Sequence, residues 1–86
     1  MGSYKIEWKK SAIKELYGLP KDYIPRIIAA VENLVSNPLS PKVKKLSGSE
    51  RTYRLRVGNY RVVYEVEEDR LVIHILRVRH RKEAYR

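Results

Sequence analysis

The stretch Thr52-Tyr-Arg-Leu-Arg-Val57-Gly-Asn-Tyr60-Arg-Val-Val-Tyr-Glu-Val-Glu67 decides the fold. From Thr52 to Val57 the residues alternate, so Tyr53, Leu55 and Val57 share one face of a strand and Arg54 and Arg56 take the other. Gly58-Asn59 is a two-residue turn signal, the commonest hairpin pair in reverse order. The next strand, Tyr60 to Glu67, should therefore return antiparallel, with Tyr60, Val62, Tyr64 and Val66 toward a core and Arg61 of opposite parity. One hairpin thus carries Arg54, Arg56 and Arg61 on a single face turned away from the core.

Downstream, Glu68-Asp69 marks a second turn, and Leu71 to Arg79 reads as a central strand, apolar on both faces at first and ending in Arg77 and Arg79. His74 sits mid-strand among Ile73, Ile75 and Leu76, where its expected role is structural. Upstream, residues 36–50 hold two prolines, four serines, a glycine and the Lys42-Val43-Lys44-Lys45 cluster, a composition that predicts a surface loop. Before the loop, Ile24, Ile27, Ile28, Val31, Leu34 and Val35 form a helical stripe, with Asp22 as cap, Pro25 tolerated in the first turn and Asn37-Pro38 as the stop. A shorter helix is predicted from a Ser11 cap, with Ile13, Leu16 and Tyr17 as its stripe and Gly18-Leu19-Pro20 as its end. Tyr4 to Lys9 alternates as a short strand with Tyr4, Ile6 and Trp8 on one face. The predicted order is β-α-α-β-β-β, an α+β architecture with two helices packed on one face of a mainly antiparallel sheet.

At 86 residues the chain can hold one hydrophobic core, so residues 1–86 are expected to form a single domain. Without cysteine there is neither a disulfide framework nor a thiolate metal site. With two histidines and acids mainly in turns, no metal site is expected, and no glycine-rich phosphate loop or other cofactor signature is present. No apolar run approaches the ~20 residues that span a bilayer, and the N-terminus has no signal-peptide core, so the expectation is a cytoplasmic protein with no membrane partner.

The net charge of +9 predicts a polyanionic partner. The kind of cation narrows the choice. Residues 1–50 carry eight lysines and one arginine, residues 51–86 nine arginines and one lysine. The guanidinium fork matches phosphate oxygens bidentately, which points to phosphate recognition by the C-terminal half; the plainer alternative is a solvated arginine-rich face. Clustered like charges repel each other, and an anionic ligand across Arg54, Arg56 and Arg61 would offset that cost. The tail Arg79-His80-Arg81-Lys82-Glu83-Ala84-Tyr85-Arg86 adds an imidazole, cations and an aromatic ring. Alone, His80 reads as a surface histidine and Tyr85 as a packing aromatic. Beside the arginine cluster they suit RNA, where rings stack on bases and cations hold phosphates.

Lys44-Lys45-Leu-Ser-Gly48, Tyr53-Arg-Leu-Arg-Val-Gly-Asn-Tyr-Arg-Val-Val-Tyr-Glu-Val66 and His80-Arg-Lys-Glu-Ala-Tyr85 together resemble the RelE branch of the RelE/ParE toxin superfamily. The resemblance covers essentially the whole chain and implies a RelE-like fold. It further implies a ribosome-dependent endoribonuclease that cuts mRNA in the A site and is held inactive by a cognate acidic antitoxin. Alone, such a toxin would be a monomer; with its antitoxin, a hetero-oligomer. Matched residue by residue, Arg54 and Arg56 fall where such toxins commonly place catalytic lysines. Arg61 matches a phosphate-stabilising arginine, and Arg81 and Tyr85 match a C-terminal arginine and tyrosine. His80 is the expected general base or the residue that positions Tyr85, while Lys44, Lys45, Arg79 and Lys82 are expected to bind RNA. Because arginine hardly releases its proton, Arg54 and Arg56 read as electrostatic clamps, leaving proton transfer to His80, Tyr85 or a nucleic-acid group. Two alternatives share the fold: a ParE-like poison of DNA gyrase without nuclease activity, and an inert RNA- or ribosome-binding module.

Overall fold

The computed structural model describes residues 4–37, 43–45 and 51–80. Its elements are β1 (Lys5–Trp8), α1 (Lys10–Tyr17), α2 (Tyr23–Asn33), β2 (Val43–Lys45), β3 (Thr52–Val57), β4 (Tyr60–Glu67) and β5 (Val72–His80). They form one five-stranded sheet in the order β1-β5-β4-β3-β2. All neighbours are antiparallel except β1, which runs parallel to β5. The expected α+β layering is present, with one more strand than the sequence suggested: part of the 36–50 segment pairs with β3, Lys44 opposite Arg54 and Lys45 opposite Tyr53. A three-residue strand flanked by prolines and serines is too short to show a periodicity of its own.

The deciding hairpin forms as its alternation requires. Val57 pairs with Tyr60 across Gly58-Asn59, and Gly58 takes φ +58° while Asn59 stays out of the left-handed region. That pattern belongs to the type II′ turn, which calls for glycine at its first central position. A side chain there would also press on Tyr23, whose hydroxyl lies 3.0 Å from where a Cβ would stand.

The core lies between the helices and one sheet face. Ala12 and Leu16 of α1, Ile27 and Val31 of α2, and Leu34 just beyond it meet Leu55, Val62, Tyr64, Val66, Ile73, Ile75 and Val78 of the sheet. Tyr4, Ile6 and Trp8 pack against this cluster, as their alternation predicts. Tyr64 is fully buried and stacks on Tyr53 with centroids 5.8 Å apart. Burial, with Tyr53 beside it, pushes its hydroxyl well above the ordinary tyrosine range, so it keeps its proton near neutrality.

Three local readings need correction. The helix α1 begins at Lys10 with Lys9, not Ser11, at the cap position. Its buried face is Ala12 and Leu16, while Ile13 and Tyr17 are exposed. The helix α2 stops at Asn33, before Asn37-Pro38, and Asp22 at its cap makes no side-chain capping bond. Among the described residues no helix is long and apolar enough to cross a membrane.

Candidate nucleic-acid interface

Cross-strand register fixes what shares the sheet face opposite the helices. Arg56, Arg61 and Arg79 form one row across β3, β4 and β5, and Arg54, Val63 and Arg77 form the next, with Lys44 of β2 opposite Arg54. The hairpin alternation supplies Arg54, Arg56 and Arg61, as expected. Arg77 and Arg79 arrive by a different route. Ile73 and Ile75 lie on the core side, and strict alternation would send residues 77 and 79 after them. Instead the register slips between Val63 and Tyr64: Tyr64 faces Ile75 and Val63 faces Arg77, leaving Leu76 as the extra residue of a β-bulge. Beyond the bulge the parity inverts, so Val78 enters the core and both arginines turn to the open face.

Burial divides the row. Arg56 is exposed, whereas Arg61, expected to be solvated, is only 7% exposed. The central strand of a row of long side chains is covered by its neighbours, and the Nε atoms of Arg54, Arg61 and Arg79 are all shut off from solvent. A guanidinium held this way has little room to move and little water to screen it, so its charge acts more strongly on an anion lying over the sheet.

β1 ends at Trp8, and Lys9 N–H donates to the Ile75 carbonyl at 2.9 Å, so beyond Ile75 the edge of β5 has no strand partner among the described residues. Glu15 of α1 takes that place. Its Oε1 accepts the Val78 N–H at 2.9 Å and its Oε2 lies 3.1 Å from Arg79 Nε. One carboxylate thus closes an open strand edge and holds an arginine of the row. Glu15→Ala should lower stability by about 1–2 kcal/mol, the range for losing a charge-assisted bond to a partly buried amide. Chemical denaturation would measure it, and Glu15→Gln should recover part of the loss.

The rest of the open face is acidic. Glu7, His74 and Glu65 form a row across β1, β5 and β4. His74 Nε2 donates to Glu67 Oε1 at 2.9 Å, and its Nδ1 lies 3.7 Å from Glu7 Oε1. His74 is thus structural, as expected, tying three strands together. That hydrogen bond holds the Glu67 carboxyl below its ordinary 4.5 against the opposing effect of desolvation, with smaller help from the charges of Arg70, His74 and Arg51. A carboxyl depressed in the folded state stabilises above its unfolded value, and that contribution is lost as pH falls through the lowered folded value. Glu67→Gln should therefore flatten the fall in stability below pH 4.5, read by denaturation at a series of pH values.

His80 is the last residue of β5 rather than the start of a tail. It pairs with Tyr60, and the two rings meet edge to face at 5.3 Å. Tyr60 in turn meets Tyr23 at 4.6 Å, with Arg26 over the Tyr23 ring. The register therefore puts His80 with the helix-side aromatics, away from the Arg61 row. For Lys44 and Lys45 only the strand backbone is described, and Arg81, Lys82 and Tyr85 lie outside the described residues. Sequence reasoning missed Arg77 as a member of the face and Glu15 as its support. No local signal marks the bulge, and a helical glutamate gives no sign that it will meet a strand edge.

Residues 6–85 match the family model described as the ParE toxin of type II toxin–antitoxin systems. The chain is 35% identical to toxin RelE3 of Methanocaldococcus jannaschii over 85 residues, 94% of either protein. It is 33% identical to toxin RelG of Mycobacterium tuberculosis over 91 residues, 96% of this chain and 97% of that protein. The crystal structure of the archaeal RelE–RelB complex from Pyrococcus horikoshii contains a chain that is 34% identical, with a TM-score of 0.80 over 92% of this chain and 96% of that one.

Proposed function

The chain belongs to the RelE/ParE superfamily of toxins from type II toxin–antitoxin systems, and from that premise we propose that it is a ribosome-dependent endoribonuclease that cuts mRNA in the A site. The observation that carries the reading is the row Arg56–Arg61–Arg79 with the buried Arg61 at its centre. Three guanidinium groups stand abreast on an open sheet, and a phosphodiester is the ligand whose oxygens suit their forks. Relatives that carry the RelE name at 33% and 35% identity favour the nuclease branch over gyrase poisoning.

In the proposed mechanism a ribose 2′-OH attacks its own 3′-phosphate, leaving a 2′,3′-cyclic phosphate and a 5′-OH. Arg54, Arg56 and Arg61 stabilise the charge that grows on the phosphate oxygens, and Arg79 and Arg77 extend the grip along the strand. Arg81 serves near the leaving 5′-oxygen and Tyr85 orients the base, as in the family resemblance. His80, facing Tyr60, supports the end of the sheet, and proton transfer falls to Tyr85 or to a group of the ribosome or message. Lys44, Lys45 and Lys82 widen the basic surface. The partner that restrains the toxin is an acidic antitoxin, the kind of complex that the archaeal RelE–RelB structure describes for its own chains.

Induced expression followed by mapping of transcript 5′ ends should show cuts within translated codons and little cutting of free RNA. Intact transcripts with trapped gyrase–DNA complexes would instead support the ParE-type activity that the family model's name describes. The pH profile of single-turnover cleavage should be the same in His80→Gln as in the parent. Loss of its acid limb in that variant would return the general-base role to His80.

A further inference from the structure

The open face holds a cavity that phosphate recognition does not use. Glu7, Glu65 and His74 line it, with Trp8, Lys9 and Leu76 completing a volume of about 350 Å³ where β1 ends beside the bulge. We propose that this cavity is a base-reading subsite that accepts a nucleobase carrying an exocyclic amine in preference to uracil. The proposal rests on the reading of the neighbouring arginine rows as the seat of an RNA strand.

Position makes the first argument. Glu65 and His74 share the sheet face of Arg54, Arg61 and Arg77, and Glu65 lies two residues beyond Val63 along β4, about 7 Å. A strand whose phosphates follow the arginine rows runs past the mouth of the cavity within a nucleotide or two. Charge makes the second. Carboxylates repel a phosphate, so the acidic half of the face keeps the backbone on the arginines and leaves a neutral base as the part that can enter.

The donor set then selects among bases. Ionised carboxylates only accept hydrogen bonds. Adenine, cytosine and guanine each offer an amine, whereas uracil presents a carbonyl oxygen where cytosine has its amine. Two of the acids near the cavity are already engaged: Glu67 with His74 at 2.9 Å, and Glu7 at 3.7 Å from the other ring nitrogen. Glu65 is half-buried on the cavity wall, and among the described residues it has no hydrogen bond or ion pair. It is the reading group, and His74, fixed between its carboxylates, is the wall behind it. Leu76 gives the cavity an apolar side against which a flat base packs, the usual mode for single-stranded RNA. A metal ion suits the site less well, because no three His, Asp or Glu residues among those described are placed to hold one.

The test uses 2′-O-methyl RNA trinucleotides, which cannot react through a 2′-OH, differing only in cytosine or uracil at one position and titrated into the free protein by NMR. Expected is movement of the Glu65 and His74 amides and about tenfold tighter binding of a cytosine oligomer than its uracil counterpart, the scale of one charge-assisted bond. In Glu65→Gln, whose amide both donates and accepts, that ratio should fall to about one with total affinity largely kept. Binding without base preference, or a preference that survives Glu65→Gln, overturns the subsite. Cleavage itself is judged separately by the mapped 5′ ends, so a chain that cuts mRNA yet reads cytosine and uracil alike retains the nuclease function and loses only this inference.

Discussion

Replacing Arg61 with methionine is expected to slow cleavage of ribosome-bound mRNA by about 10²-fold or more, the scale for losing one preorganised charge donor at a reacting phosphate. The protein should nevertheless stay folded. Arg61 is buried at the centre of its row, with Arg56 and Arg79 on either side. Methionine fills much of the same channel with apolar atoms and removes one of three adjacent like charges. Arg61 also engages a partner, so the exchange costs some stability, which the apolar packing and the relief of like charge offset in part. Activity and thermal midpoint should therefore separate, the first collapsing far beyond what the fall in the second accounts for. Arg61→Lys keeps the charge without the fork and should fall between parent and methionine variant. A methionine variant that melts far lower and loses activity only in proportion would make Arg61 a structural residue.

Burial also alters what a substitution at this position measures. A solvated Arg61, as the alternation suggests, would be one of several interchangeable cations, and losing it would weaken binding by a modest, salt-sensitive amount. A desolvated Arg61 acts over a short distance on one phosphate. Its loss should appear mainly in the single-turnover rate at saturating ribosome complex, with a smaller change in the concentration needed for saturation. Exposed Arg56 should show the reverse balance.

What the sequence discloses and what it hides follow from the range over which each signal acts. Period-two alternation is local, so Tyr53 to Val66 was enough to assign the hairpin, its turn and the common face of Arg54, Arg56 and Arg61. The helical stripe Ile24 to Val31 is equally local, and Ile27 and Val31 are indeed core. Ser11 resembles a cap in isolation, yet β1 passes into α1 two residues too early for it to serve. The depth of Arg61 depends on which strands flank β4, a property of sheet order that no run of residues encodes. The position of His80 depends on the parity of β5, and that parity is set upstream by a bulge the sequence does not announce. The register and the aromatic pairing of His80 with Tyr60 together show which side the end of the strand takes.

Deletion of Leu76 is expected to leave the protein folded. Leu76 is the extra residue of the bulge, and without it Ile75 in the core would be followed at once by Arg77 on the open face, Val78 in the core and Arg79 on the open face, the parity that β5 already has. The damaging change is one that closes the bulge from the facing strand. An alanine inserted between Val63 and Tyr64 gives Leu76 a partner, and unbroken alternation from Tyr64 and Ile75 would then turn Val62 and Val78 to the open face and carry Arg61, Arg77 and Arg79 toward the core. Val62 and Val78 are now 0% and 2% exposed, and taking each out of the core forfeits about 1.5–3 kcal/mol. Each arginine forced toward Leu16, Ile27 and Val31 would meet an apolar interior at several kcal/mol more. Together these losses match the whole stability of a small domain, about 5–15 kcal/mol, so the insertion variant should be unfolded or insoluble. The comparison is made by circular dichroism and amide NMR spectra of the two variants side by side. An insertion variant that folds with Val78 still protected would mean that the sheet takes up the extra residue elsewhere, and the bulge would then be a consequence of packing rather than the device that turns Arg77 and Arg79 to the open face.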